Sequence, residues 1–306
     1  MQQTNRNNAF KKLFYVKQVP KIKEYLEEAV FLKKARADAE SLKIPIVDDE
    51  TGRFLELACY LLKPAKILEI GCGTGYSTYF LLKSILKELA SNKSYGGYDS
   101  AGESVIGICK ALESAEGGIC KVNQSAEGKA GQSTRGSNKA GNSKTQFSYT
   151  GIDLNRKRLD QACLFIGSLI KKTIEPCCDS KRIKTAIETE SSRYSFEFIH
   201  GNAVEIIQAE QETKEKYDMV FIDAAKYQYP FYLEMVMDKL GIGCAVIADN
   251  IFYGGKIFRE EILKHDANSV AGIQEYLRMV TKEDAFETSL FNIGDGISLS
   301  IYNKDK

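Results

Sequence analysis

Between Lys66 and Ser77 the chain reads Lys-Ile-Leu-Glu-Ile-Gly-Cys-Gly-Thr-Gly-Tyr-Ser, so glycines 71, 73 and 75 follow an apolar run of strand length and precede a helical pattern. Glycines at such a junction let the backbone turn sharply out of a buried strand and let a ligand approach the main chain closely. The spacing is GxGxG and not the GxGxxG of dinucleotide sites, and an acid, Glu69, precedes the first glycine by two. That combination suits the methionine end of S-adenosylmethionine better than a pyrophosphate. A tight strand-to-helix turn that binds nothing is the plain alternative.

The rest of the chain is consistent with that unit. Apolar runs at 66–70, 147–153, 196–200, 217–223 and 244–249 read as strands, and amphipathic stretches separate them. In 158–170, for example, Leu159, Ala162, Cys163, Ile166, Leu169 and Ile170 recur at helical spacing. Strand and helix in alternation predict a doubly wound α/β sheet, mostly parallel and covered on both faces. After Leu263 the order changes. A helix around 273–280 leads to strands 286–293 and 297–303, joined by Gly294, Asp295 and Gly296, which predicts a C-terminal antiparallel hairpin. Ahead of the first strand, one helix is marked by Ile22, Tyr25, Leu26, Ala29 and Val30. A second spans Phe54 to Leu62 and should be capped near Asp48 or Asp49.

At 306 residues, one large α/β domain, 1–306, is expected, carrying a basic helical extension, 1–44, and an insertion, 91–145. The insertion has linker composition, with 10 Gly and 9 Ser among its 55 residues. No apolar run reaches the length of a membrane span and the polar start lacks a signal-peptide core, so a cytoplasmic chain without membrane contact is expected. The net charge of +1 points to no nucleic-acid or membrane partner in bulk; the lysines from Lys11 to Lys23 could supply a local patch or a solvated tail. Eight cysteines without a CxxC pair argue against disulfides and thiolate zinc, and two histidines exclude a His-rich metal centre. Chemistry must rest on carboxylates, amides, lysines or a cofactor.

A ribose-binding acid should close the second strand ~20 residues beyond the glycines, since one carboxylate accepts from two sugar hydroxyls. Asp153 lies 82 residues past Gly71, or 27 once the insertion is set aside. A helix cap is its alternative role. Gly201, Asn202 and Ala203 follow the third strand, where an adenine would lie and where the Asn amide can accept from the exocyclic amine. The strand ends Phe-Ile-Asp-Ala-Ala-Lys226 and Ala-Asp-Asn250 complete the set. Neighbouring parallel strands end on one edge, so Asp223, Asp249 and Asn250 can converge, and three oxygen donors suit Mg²⁺, Mn²⁺ or Ca²⁺ and not zinc. Strand-terminal loop caps are the bland reading of the same three. His200 is read as a structural histidine.

Together these motifs resemble the cation-dependent O-methyltransferases, the family of the caffeoyl-CoA and catechol enzymes. The resemblance runs from about Ile44 to Tyr302 and includes the stretch ending in Asp-Asp-Glu-Thr-Gly52, the glycine turn, Ile-Asp153, Phe-Ile-Asp223 with Lys226, Asp-Asn250 and Ile-Gly-Asp-Gly296. It implies a class I methyltransferase fold, cofactor contacts at Glu69, Gly71, Ser77, Asp153 and Ala203, metal ligation by Asp223, Asp249 and Asn250, Lys226 near the reacting oxygen, and a homodimer. Ala225 and Gly254 depart from the plant members, where an Asp and a substrate-holding Asn stand, and argue against a caffeoyl-CoA substrate. Asp-Ala-Ala-Lys, Gln228-Tyr229 and Asp-Asn-Ile-Phe-Tyr-Gly254 are instead similar to a bacterial branch that methylates 5-hydroxyuridine at the tRNA wobble position.

Two other classes compete. A nucleotide-dependent oxidoreductase would carry GxGxxG and have no use for the carboxylates, and a non-catalytic RNA-binding protein would have lost a ligand or a glycine. The expectation is therefore an S-adenosylmethionine- and metal-dependent O-methyltransferase with Lys226 and Asp223 as catalytic groups. Its acceptor would be hydroxylated tRNA, or alternatively a small catechol.

Overall fold

The computed structural model describes residues 30–41, 43–91, 145–170, 181–188, 192–209, 216–282 and 284–304. The chain divides into two units, 1–43 and 44–306. In the first, helix α1, Val30–Ser41, and Lys43 are described. The helix expected around Ile22, the basic segment Lys11 to Lys23 and nearly all of the insertion lie outside the described residues.

In the second unit, helix α2, Asp49–Leu62, starts where Asp48 accepts from the Thr51 N–H at 2.8 Å and stops at Lys63, whose left-handed backbone donates to the Cys59 carbonyl. Then follow β1 (Lys66–Ile70), α3 (Tyr76–Ser91), β2 (Thr145–Asp153), α4 (Arg156–Leu169), β3 (Arg182–Glu188), β4 (Ser192–His200), α5 (Ala203–Ala209) and β5 (Tyr217–Ile222). Helix α6 (Tyr229–Met237), β6 (Leu240–Ala248), α7 (Ala267–Lys282), β7 (Phe286–Phe291) and β8 (Ile297–Tyr302) complete the unit. The strands form one eight-stranded sheet in the order β3-β4-β2-β1-β5-β6-β8-β7. Its five central strands are parallel. At one edge β7 and β8 run antiparallel, as the hairpin signal predicts.

The other edge departs from the sequence reading. β3 pairs antiparallel with β4 as a further strand that hydrophobic patterning did not reveal. Only Ile183 and Ile187 of its seven residues are buried apolar positions; charged residues occupy both ends. Charge on an edge strand discourages pairing with another chain and also hides the strand from a search for apolar runs.

Leu68, Ile70, Val220, Ile222, Val246 and Ala248, from β1, β5 and β6, form the centre of the core and are all at most 1% exposed. Near-continuous apolar strands are what a sheet covered on both faces requires. The start of β1 is fixed to β5 by Asp218, whose carboxylate accepts from the Ala65 and Lys66 N–H groups at 2.9 Å. Among the described residues, no helix is long and apolar enough to cross a membrane.

Candidate functional site

Because the five central strands are parallel, their carboxyl ends share one edge, and hydrogen bonds continue the ladder past the last strand residue. Gly71 donates to Ile152 at 2.8 Å, Asp223 to Ile70 at 2.9 Å and Asp249 to Ile222 at 3.1 Å. These bonds fix the residues just beyond β1, β5 and β6 side by side. They border a cleft of about 500 Å³ lined by Gly71, Gly73, Asp153, Asn202, Ala203, Asp223, Lys226, Asp249 and Asn250.

Each glycine of the turn has its own reason. A Cβ on Gly71 would sit 2.1 Å from the Asp223 carbonyl oxygen, so this position is small because two strand ends meet there. Gly75 is 3.2 Å, at its Cβ position, from Ala162 of α4 and serves helix packing rather than the cleft. Gly73 has open space where its Cβ would lie and faces the cleft. Its N–H donates to Asp153 Oδ2 at 2.9 Å, while Oδ1 of the same carboxylate accepts from the Asn155 N–H at 2.7 Å. The cap of α4 is Asn155, which accepts from Arg158, so Asp153 is not a helix cap.

Glu69 and Ser77 lie elsewhere. Glu69 is fully buried under the turn and takes hydrogen bonds from Ser77 (2.5 Å), Thr78 (2.7 Å) and Tyr149 (2.5 Å). Burial drives its carboxyl up to about 7 despite those donors, which favour the ionised form. Neither residue borders the cleft; both support the turn from below.

On the other side of the cleft, Lys226 Nζ donates to Asp223 Oδ1 at 2.8 Å and to the Tyr229 hydroxyl at 2.7 Å. Asp249 is 1% exposed and its Oδ1 accepts from the Asn250 N–H at 2.7 Å. Burial, and after it the neighbouring Asp223 charge, push its carboxyl above the usual carboxylate range, with the Asn250 N–H and Lys226 opposing. Asn250 holds a left-handed backbone, φ 55°. Asparagine adopts that conformation more readily than other residues with a Cβ, and the β7–β8 turn secures it. Ile251 donates to Gly296 at 3.0 Å, Phe252 donates to the Asp295 carbonyl at 2.9 Å, and Gly254 donates to both Asp295 carboxylate oxygens at 2.8 Å. The Ile-Gly-Asp-Gly stretch of the sequence is thus a clamp on the loop that carries Asn250.

Among the described residues no group of three His, Cys, Asp or Glu gathers as a metal site. The donor set here is two carboxylates and an amide, all oxygen donors, with the carboxylates close enough to repel. A cation between them would relieve that repulsion, so the residues fit a hard divalent ion. His200 directs Nε2 at the Leu154 carbonyl, 3.1 Å away, a structural contact.

Sequence reasoning missed several lining residues. Ile46 precedes the α2 cap, Leu154 is 74% exposed directly after Asp153, Arg158 belongs to the first turn of α4, and Tyr227 is 52% exposed at the rim. An exposed leucine next to a strand-terminal acid was the one available signal; the others depend on where α2, α4 and α6 dock.

The fold is that of the class I methyltransferases. It superposes on an O-methyltransferase from Streptomyces achromogenes involved in tomaymycin synthesis, solved with S-adenosylmethionine, with a TM-score of 0.59 at 17% identity over 99% of this chain and 100% of the other. Residues 179–302 match the family model described as O-methyltransferase. A tapetum-specific methyltransferase of Arabidopsis thaliana is 26% identical over 109 residues, 35% of this chain and 47% of its own length, so the chain spans about half of that relative. The chain is also similar to an Arabidopsis thaliana protein provisionally named a caffeoyl-CoA O-methyltransferase, 24% identical over 162 residues, 48% of this chain and 69% of the other.

Proposed function

We propose that this chain transfers the methyl group of S-adenosylmethionine to an oxygen of an acceptor bearing two adjacent oxygens, with a divalent cation, Mg²⁺ or Mn²⁺, held by Asp223, Asp249 and Asn250. The observation that carries the reading is the meeting, in one cleft, of the Gly71 to Gly73 turn and Asp153 with a carboxylate-carboxylate-amide set and Lys226. A nicotinamide-dependent oxidoreductase has no need of the second group of residues.

In this reading Asp153 orients the ribose, the backbone at Gly71 and Gly73 faces the methionine end, and Asn202 and Ala203 border the adenine. When bound, the cation supplies Lewis acidity, lowering the pKa of the acceptor hydroxyl that is to be methylated. Lys226 holds a hydrogen bond to that oxygen as charge develops on it, or takes its proton. The cleft walls keep donor and acceptor in line, which contributes by positioning alone.

The acceptor we favour is 5-hydroxyuridine in tRNA. Its two vicinal oxygens would close a five-membered chelate, and the half-exposed ring of Tyr227 at the rim offers a flat face on which a displaced base stacks. The likeness of 223–229 and 249–254 to the tRNA-modifying branch supports the same choice. A homodimer belongs to this reading through the family resemblance.

The test offers labelled methyl donor with hydroxyuridine-containing tRNA and with a catechol, at low and moderate salt, with and without a chelator. Metal-dependent transfer to the tRNA is expected. Transfer to catechol alone would refute the tRNA assignment, and full turnover in excess chelator would reduce Asp223, Asp249 and Asn250 to loop caps.

A further inference from the structure

Lys226 is a long, flexible side chain set in the short turn between β5 and α6, yet a reacting oxygen needs a donor held in one place. Its Nζ is fixed at two points. One is Asp223 Oδ1 at 2.8 Å; the other is the hydroxyl of Tyr229 at 2.7 Å, three residues on and at the first turn of α6. Tyr229 is itself immobile. It is fully buried, its ring stands edge-on to Tyr276 with centroids 5.7 Å apart, and it belongs to the central core cluster.

The hydroxyl has a defined polarity. It donates to the Asp249 carbonyl at 3.0 Å, with the Ile222 carbonyl at 3.3 Å as a second acceptor, so its lone pairs are what it presents to Lys226. One phenol thereby connects the end of β5, the end of β6 and the lysine. An ammonium has three N–H donors. Two are taken by Asp223 and Tyr229, and among the described residues the third is left for the cleft that Lys226 lines. Should Asp223 turn towards another partner, Tyr229 would remain the fixed anchor.

From this geometry we infer that Tyr229 is a positioning residue, whose buried hydroxyl aims the Lys226 ammonium at the acceptor oxygen. The kinetic part of this inference rests on the transferase reading; the structural part does not. Tyr276 provides the control. It is also fully buried and bears a hydroxyl, but that hydroxyl meets Ser298 at 3.1 Å and has no link to Lys226.

The experiment compares the full chain with Tyr229→Phe, Tyr276→Phe, Lys226→Met and the double variant Tyr229→Phe/Lys226→Met. The first measurement is competitive acetylation with acetic anhydride, read lysine by lysine by mass spectrometry. Lys226 should label at least ~3-fold faster in Tyr229→Phe than in the unaltered chain or in Tyr276→Phe, with the surface lysines unchanged, because the lost hydrogen bond frees the amine. Equal labelling of Lys226 in all three overturns the inference whether or not methyl transfer is observed. The second measurement is turnover. Tyr229→Phe should lower kcat by ~10-fold or more while leaving KM for the acceptor and the affinity for S-adenosylmethionine unchanged. In the Lys226→Met background the same change should cost nothing further, since a residue acting through the lysine has nothing left to act on. A loss of equal size in both backgrounds, or an equal loss in Tyr276→Phe, would show a merely structural role and overturn the inference. A chain that transfers no methyl group at all removes the transferase reading, and the labelling result then decides the inference by itself.

Discussion

Asp153 and Gly73 are 80 positions apart in the chain, and Oδ2 of the acid accepts from the N–H of the glycine at 2.9 Å. The end of β2 therefore holds the turn after β1 in its open shape, across whatever residues 92–144 do. Asp153→Ala should weaken S-adenosylmethionine binding by about 1 to 3 kcal/mol, the cost of leaving hydrogen-bonding groups unpaired. Titration calorimetry measures it; unchanged affinity would mean that the carboxylate serves the turn alone.

Glu69 gives a prediction about pH. Its carboxyl rises from 4.5 to about 7 on folding, mainly through burial. Between those values the folded chain keeps a proton that the unfolded chain has released. The stabilising proton is fully present below the unfolded pKa and lost as pH rises through the folded one, so stability falls across roughly pH 4.5 to 7. At one pKa unit per 1.36 kcal/mol the change is about 3 kcal/mol. Glu69→Gln should flatten that part of the curve, as read by chemical denaturation at pH 5, 6, 7 and 8. Parallel curves for the two chains would contradict the assignment.

Asp295 makes no cleft contact, yet it holds Gly254 and, through the loop, Asn250. Asp295→Ala should raise the Mg²⁺ concentration for half-maximal activity by ~10-fold or more, as expected when the partners that orient metal ligands are removed, with little change in Tm. The measurement is a metal titration of activity beside a melting curve. An unchanged metal requirement would leave the clamp purely structural.

The insertion leaves the sheet between the end of α3 and the start of β2, and Thr145 pairs with Ser192, at the edge opposite Asp153 and His200. Replacing residues 92–144 with a short Gly/Ser linker should leave turnover within a few-fold, since loop length changes stability only slowly. A folded deletion that binds cofactor but transfers nothing would assign the segment to substrate docking or subunit contact.

Much of this was legible in the chain, for local reasons. Strands buried on both faces show as apolar runs, and Gly71, Asp153, Asp223 and Asp249 stand directly at their ends, so sheet and cleft could be read together. What escaped depends on contacts between distant positions. The burial of Glu69 depends on Tyr149, which reaches it from β2. The clamp joins Gly254 to Asp295, 41 residues on. β3 carries charge at both ends because it is an edge, and Tyr229 looks like an ordinary core aromatic until its hydroxyl is traced to Lys226.

On the proposed reading the cleft takes a methyl donor and not a dinucleotide. Calorimetric titration of the intact chain with S-adenosylmethionine and with NAD, under identical conditions, tests it most directly. Saturable binding of S-adenosylmethionine and none of NAD is expected; binding of NAD with no heat from S-adenosylmethionine would contradict the methyltransferase reading.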